Sequence, residues 1–258
     1  MLSVIIITKN EQAHIAECIQ SVSFADEIIV LDSGSTDDTC TLARDLGAQV
    51  YHTTHWPGFG VQKNKALDLA TMPWVLSIDA DERVPPTLAK EIQRVMQNPT
   101  ADAYTVARLS CFAGRWIRHS GWWPDRLVRL FKREQGRFKE VLVHESVVVQ
   151  GSTQHLGGYL VHYPYDSLET LIAKTNHYST AAAQQLHDKG RTISMVGIML
   201  KAAWTFVRIY ILRRGFLDGK QGFILAGVAA AGSFFRYSKL WLLNKNIQWR
   251  PKPPVSKH

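Results

Sequence analysis

An α/β fold with a mostly parallel sheet and a basic, helical C-terminal extension is what this 258-residue sequence predicts. Three observations carry the prediction. Over the first hundred residues, short β-branched apolar runs alternate with segments of helical periodicity, the pattern of a parallel sheet covered on both faces. Those runs end in polar or acidic residues, at the sheet edge where open α/β folds bind ligands. The positive charge is local: residues 201–258 carry 11 Lys and Arg against the single acid Asp218, whereas residues 1–200 carry 19 against 21 acids.

Residues 4–8 read as the first strand, buried rather than an export signal because the apolar run is short and no basic residue precedes it. Asn10 is placed to cap a helix whose apolar positions Ile15, Cys18, Ile19 and Val22 fall at i, i+3, i+4 and i+7. Residues 27–31 form a second strand. Turn chemistry over residues 32–38 leads into a short helix that Gly47 terminates, and residues 49–51 form a third strand. Residues 61–71 have helical spacing, residues 74–78 form a fourth strand, and Pro86 suits the first turn of the helix beyond it. Past about residue 100 the alternation near residues 104–109, 126–131 and 140–149 predicts the strands of a mixed or antiparallel edge. Residues 168–215 return to helical patterning, and 221–235 form a charge-free stretch between Lys220 and Arg236.

Composition narrows the class. An apolar fraction of 46% with 8 Trp, 8 Tyr and 10 Phe builds a core, which excludes a disordered linker or a collagen-like repeat. Cys18, Cys40 and Cys111 are odd in number and without a Cys-x-x-Cys pair, against a disulfide framework or structural zinc and in favour of a reducing compartment. No Gly-x-Gly-x-x-Gly follows the first strand, and no Gly-x-x-x-x-Gly-Lys-Ser/Thr occurs, so a dinucleotide oxidoreductase and a P-loop NTPase are disfavoured.

Asp79 and Asp81 stand two apart at the end of an apolar strand, so extended geometry projects both carboxylates to one side. Two such carboxylates are tolerable when Mg²⁺ or Mn²⁺ sits between them and a diphosphate; alone, an Asp-x-Asp is more often a solvated turn. Its context is a single rim. Asn10 and Glu11 follow strand one, Asp32 closes strand two, and Gln62-Lys63-Asn64-Lys65 opens a helix after a glycine-containing loop. Each residue alone could cap a helix, but together they offer acceptors for a base and ribose, lysines for phosphates and carboxylates for a metal.

These motifs, Ser3 to Glu11, Asp32-Ser33-Gly34-Ser35-Thr36-Asp37, Asn64 with its flanking lysines, and Asp79-Ala80-Asp81, resemble those of the family 2 glycosyltransferases, which have the GT-A fold. The resemblance implies a donor side of Thr8, Asn10, Glu11, Asp32, Lys63, Asn64 and Asp79, with Asp32 facing the base, Glu11 ordering the nucleoside pocket, and Asp79 and Asp81 holding ribose and metal, Asp81 the more direct ligand. The later segments Ser120 to Phe131, Val143-His144-Glu145, His162-Tyr163 and Arg213 to Gly219 resemble the bacterial branch that glucosylates the heptose of the lipopolysaccharide inner core. On this reading residues 1–165 form the catalytic domain, 1–100 its donor half and 101–165 its acceptor-side half, and 166–258 the extension.

Inverting transfer needs a general base for the acceptor hydroxyl. Glu145 is the first candidate and Asp125 the second; a strand ion pair is the plain alternative for Glu145. His144 is placed to reach acceptor, metal or diphosphate. Trp116, Trp122 and Trp123 beside Arg115, Arg118, Arg126 and Arg129 can stack on sugars and clamp phosphates, so Trp122, Trp123, Arg126 and Arg129 are candidate acceptor contacts, against core packing with solvated charges.

The basic tail sits among Trp204, Phe206, Ile209, Ile211, Phe216 and Leu217, which fits an interfacial helix on an anionic membrane better than nucleic-acid binding. Fifteen uncharged residues fall short of the roughly 20 needed to cross hydrocarbon, and an ordinary buried helix is the alternative for 221–235. The expectation is a metal-dependent inverting glycosyltransferase moving a hexose, UDP-glucose foremost, to a lipid-linked core sugar, peripheral on the cytoplasmic membrane face. A polyprenyl-phosphate or other envelope glycan transferase, and a non-catalytic membrane adaptor of the same fold, are the alternatives.

Overall fold

The computed structural model describes residues 1–140 and 146–245. The chain divides into two compact units, one of residues 1–111 and 122–164, the other of residues 112–121 and 165 onward.

In the first unit β1 (Leu2–Thr8), β2 (Glu27–Asp32), β3 (Gln49–His52) and β4 (Trp74–Asp79) are parallel, in the order β3-β2-β1-β4. The sheet continues through later strands: β5 (Glu82–Arg83), β6 (Ala103–Phe112), β8 (Asp125–Lys132) and β11 (Thr153–His162) extend it as β4-β8-β6-β11-β5. β8 is antiparallel to both β4 and β6, β11 is parallel to β6, and β5 is antiparallel to β11. The mixed edge expected beyond residue 100 is therefore wound into the same sheet. A separate pair joins β9 (Gly136–Phe138) to β10 (Val147–Val149); the rest of the strand expected over 140–149 includes residues outside those described.

Every residue of β1 is buried because helices cover both faces, as parallel strands require. Leu2, Val4 and Ile6 pack with Ile15, Cys18 and Ile19 of α1 (Ile15–Ser21) and with Leu88 and Ile92 of α4 (Pro86–Gln97). Ile5 and Ile7 face the other way, onto Ala66 and Leu67 of α3 (Phe59–Leu69) and onto Phe138. α2 (Thr39–Asp45) ends before Gly47, whose φ of 84° supplies the left-handed turn expected of it. Pro86 opens α4 as expected.

Asn10 does not cap α1. It lies four residues before His14, the residue preceding the helix, has φ 56°, and its Oδ1 accepts from Thr36 N at 2.8 Å. A cross-loop bond thus takes the side chain that the spacing assigned to the helix.

The second unit holds the short strand β7 (Arg115–Trp116) and three helices, α5 (Leu168–Asp188), α6 (Met195–Val207) and α7 (Gly219–Lys245). Ser167 and Ser194 cap α5 and α6, each accepting from the backbone N–H three residues on. A π-helical turn over Arg208–Leu212 and a 3₁₀ turn over Gly215–Asp218 connect α6 to α7. α7 packs on both other helices. Gly222 lies so close to Gly215 that a Cβ would meet its carbonyl oxygen at 1.9 Å, and Lys239 Nζ reaches Asn176, Ser179 and Thr180 of α5. The charge-free stretch 221–235 is therefore partly core, with Leu225, Ala226 and Gly232 buried.

Asp218 ties residues 118–120 to this unit. It is 2% exposed and accepts from Arg118 N, His119 N, His119 Nδ1 and Ser120 Oγ at 2.7–3.2 Å. The lone acid of the basic tail is a structural anchor, and residues 112–121, expected in the acceptor-side half, pack with the helices instead. Asp218→Ala leaves buried donors unpaired, so unfolding free energy is expected to fall by about 3 kcal/mol, and by about 1 kcal/mol for Ser120→Ala, read by chemical denaturation.

Candidate active site

Strand register sets the site. Thr8 is opposite Asp32 and Ile7 opposite Asp79, so β2, β1 and β4 end level, and Asp32 and Asp79 lie two strand spacings apart, roughly 10 Å.

At the β2 end the loops are laced together. Asn10 N donates to Ser35 Oγ, Glu11 N to Thr39 Oγ1 and Gln12 N to Asp37 Oδ2. Asp32, 1% exposed, accepts from Gly34 N, Ser35 N and Ser35 Oγ. Burial alone would raise its pKa, but those hydrogen bonds outweigh it and hold the carboxyl below the usual range. His52 Nδ1 lies 3.5 Å from Asp32, and Cys40 completes a group whose donor atoms lie within 4.8 Å of one another. Arg44 Nη2, 2.7 Å from His52 Nε2, makes that nitrogen an acceptor and leaves the proton on Nδ1, toward Asp32. Arg44 is thus hydrogen-bonded to His52, whose Nδ1 side faces the Asp32 carboxylate.

Two polar atoms at this rim find no protein partner: Thr8 Oγ1, on a residue 4% exposed, and Gln62 Oε1, on one fully buried. Buried polar groups are almost always satisfied, so such atoms have hydrogen-bonding capacity left for water or a polar ligand. Gln62 was legible only as a neighbour of Lys63; its Nε2 donates to Ser33 Oγ, which aims the amide.

At the β4 end the chain turns at Ala80 and Asp81 instead of remaining extended, so Asp79 and Asp81 acquire different partners. Asp79 Oδ1 is 2.8 Å from Lys63 Nζ and Oδ2 is 2.9 Å from Arg129 Nη2. Burial opposes its ionisation, but the two cations outweigh it and hold Asp79 well below the carboxylate range. Arg129 also donates to Glu82 Oε1 at 2.5 Å, and Glu82 Oε2 accepts from Asp79 N. Burial pushes Glu82 up, against the pull of Arg129. Arg108 lies 3.5 Å from Glu82 and donates to Asp125 at 2.5 and 2.9 Å. Lys63, Asp79, Arg129, Glu82, Arg108 and Asp125 thus form one continuous network.

Asp81 Oδ2 faces His162 Nε2 at 3.4 Å, and His162 Nδ1 is 2.9 Å from Ser110 Oγ. A hydroxyl both donates and accepts, so two arrangements fit: with Ser110 accepting, Nε2 turns a lone pair toward the carboxylate as a metal ligand would, and with Ser110 donating, Nε2–H points at Asp81. That separation is close to the roughly 3 Å between adjacent ligands of an octahedral ion with bonds near 2.1 Å; the carboxylate suits Mg²⁺ or Mn²⁺, and the imidazole suits a transition ion. With Ser110 accepting from Nδ1, the two residues fit a divalent metal.

The other expected site residues have these surroundings. Asn64 clips β9: its Nδ2 donates to Phe138 O and its Oδ1 accepts from Phe138 N, which places it under the sheet pair rather than open to a nucleotide. Arg129 is 3% exposed among carboxylates, in the stretch of β8 where Arg129, Leu130 and Phe131 are all buried. Arg126 is exposed and donates to Leu156 O; Trp123 stands edge-on to Tyr159 at 5.8 Å. Trp122 is half-buried. Glu145 and His144 lie outside the described residues. Glu82, Arg108, Ser110 and His162 were not assigned roles from sequence; His162-Tyr163 stood out only as a matching pair, since a histidine ending one strand gains meaning only when another strand delivers Asp81.

A sheet with this order, carrying acidic residues on the level ends of β2, β1 and β4, defines a GT-A nucleotide-sugar-dependent glycosyltransferase. The chain belongs to glycosyl transferase family 2, whose family model matches residues 3–152. It is 34% identical over 252 residues to an uncharacterized glycosyltransferase of Rickettsia prowazekii, covering 93% of this chain and 86% of that one. It is 30% identical over 247 residues to the lipopolysaccharide core biosynthesis glycosyltransferase LpsC of Rhizobium meliloti, covering 93% and 92%. Among solved structures, S. aureus TarS in complex with UDP-GlcNAc aligns over 96% of this chain and 93% of that one, with 15% identity and a TM-score of 0.48.

Because the Asp79 pKa is depressed, its stabilising effect is full above the unfolded value near ~3.9 and is lost as pH falls through the lower folded value. The stability gap between wild type and Asp79→Asn, about 3 kcal/mol at neutral pH, is expected to close as urea titrations are carried from about pH 5 to about pH 2.

Proposed function

We propose that this enzyme transfers a hexose with inversion from UDP-glucose to an inner-core heptose of lipopolysaccharide, working peripherally on the cytoplasmic face of the membrane. The observation that carries the donor side is the convergence of Asp81 Oδ2 and His162 Nε2 at 3.4 Å, beside an Asp79 already neutralised by Lys63 and Arg129. The similarity to LpsC over nearly both full lengths supports the acceptor class.

In this reading Thr8 Oγ1 and Gln62 Oε1 take their missing hydrogen bonds from the nucleoside, and the laced 10–12 and 33–39 loops hold Asp32 at the base. Asp81 and His162 hold Mg²⁺ or Mn²⁺, which when bound withdraws charge from the leaving diphosphate. Asp79, clamped by two cations, orients ribose rather than competing for the ion. The base removes the acceptor proton as the acceptor oxygen bonds to C1 and the bond from C1 to the diphosphate oxygen breaks. Glu145 takes that role; Asp125, held by Arg108 at 2.5 Å, is the second candidate. Arg126, Trp122, Trp123 and His144 serve the acceptor in this reading, and Arg129 supports the carboxylates.

The test is transfer from UDP-, GDP- and ADP-sugars to a heptose-containing lipid acceptor with either ion. UDP-glucose is expected to give turnover, and Asp81→Ala and His162→Ala to lower kcat by roughly 10²-fold or more while UDP binding in metal-free buffer persists. Glu145→Gln is expected to abolish transfer with donor binding intact; unchanged initial rates assign the base elsewhere. Turnover confined to a non-UDP donor, or to a polyprenyl phosphate acceptor, overturns the corresponding part.

A further inference from the structure

We propose that α6 and the turns after it form an in-plane docking element for an anionic bilayer, with one face sunk at the acyl boundary and the opposite face packed on α7. The proposal rests on the peripheral placement above and assigns it to named residues.

The run Met195–Leu212 is long and apolar enough to cross a membrane, yet almost none of it is buried in the protein. At 100° per residue, Val196, Leu200, Trp204, Val207 and Ile211 fall within about 40° of one line, and all five are exposed. The opposite side carries Ile198, Ala202 and Ile209; Ile198 is buried, and Phe206 and Tyr210 meet Phe223 of α7 edge to face at 5.6 Å. Phe216 and Leu217, exposed on the 3₁₀ turn, extend the stripe. So large an unpartnered apolar surface marks an interaction site.

Charge selects lipid as the occupant. Lys201 and Arg208 lie about 80–100° to one side of the stripe, where their long stems let the charges reach the headgroups, and both are exposed, as are Arg213, Arg214 and Lys220. The one acid among residues 201–258, Asp218, is consumed by residues 118–120. Among the described residues from 195 to 220, the run is apolar at its centre, cationic at its rim and without an exposed carboxylate, which matches an anionic membrane. A crossing orientation conflicts with the same facts: it places Lys201 and Arg208 inside the span and needs lipid where α7 already packs.

The test is sedimentation of the purified full chain with phosphatidylcholine vesicles with and without phosphatidylglycerol, alongside UDP binding and sedimentation velocity without lipid. Wild type is expected to pellet at least tenfold more strongly with the anionic vesicles. Leu200→Glu with Trp204→Glu is expected to reduce binding at least tenfold at low salt, with helicity and UDP binding unchanged. The triple variant Lys201→Gln, Arg208→Gln, Lys220→Gln is milder on the fold; it is expected to lose the preference for anionic lipid and the salt dependence. Equal pelleting of wild type with both vesicles, or of the apolar variant with wild type, overturns the proposal, as does a lipid-free dimer that Leu200→Glu dissociates. Loss of UDP binding in wild type with vesicle binding intact supports the docking face and removes the transferase reading.

Discussion

The enclosed ion network at the end of β4 is the constraint on which the site depends. Asp79 and Glu82 bring two carboxylates out of bulk water, a cost that only well-placed cations offset. Lys63 arrives from α3, Arg129 from β8 and Arg108 from β6, so three elements distant in sequence must be correctly seated before the charges balance. The network also braces the turn that carries Asp81: Glu82 accepts from the Asp79 N–H, and Tyr163 N donates to Asp81 O. The histidine and the carboxylate that face each other are thus consequences of an electrostatic arrangement one layer below them.

The rim at the end of β2 achieves order differently. There the bonds are between backbone N–H groups and short polar side chains, Asn10 with 35 and 36 across two loops and Asp32 with 34 and 35 within one. Such lacing rigidifies a rim without a large apolar contact, and it leaves Thr8 Oγ1 and Gln62 Oε1 as polar atoms with capacity for a ligand. A laced rim beside a charge-balanced floor suits a donor that is a flat base at one end and a charged diphosphate at the other.

The second unit follows a separate logic. Small residues let helices approach, as Gly222 under Gly215 and Gly232 beside Thr175, and one buried acid gathers the turn. Its outward surface is apolar where a soluble helix would be charged, while its cations ring that surface.

What the sequence determined by itself was whatever depends on local periodicity and local chemistry. Short apolar runs showed the parallel strands and the 3.6 repeat the α1 stripe, Gly47 and Pro86 marked helix ends, and the strand-terminal polar residues marked the rim. The uneven charge pointed to the basic helical region. Tertiary structure decided which of those polar residues share a partner. Two residues apart did not mean one face, because the turn at Ala80 and Asp81 replaced the extended backbone. Asn10 left its helix for Thr36, Arg129 turned into the ion network, and Asn64 was claimed by Phe138. His162 became a partner of Asp81 only once β5 paired with β11. Hydrogen bonds and ion pairs join groups by distance in space, and a sequence records distance along the chain.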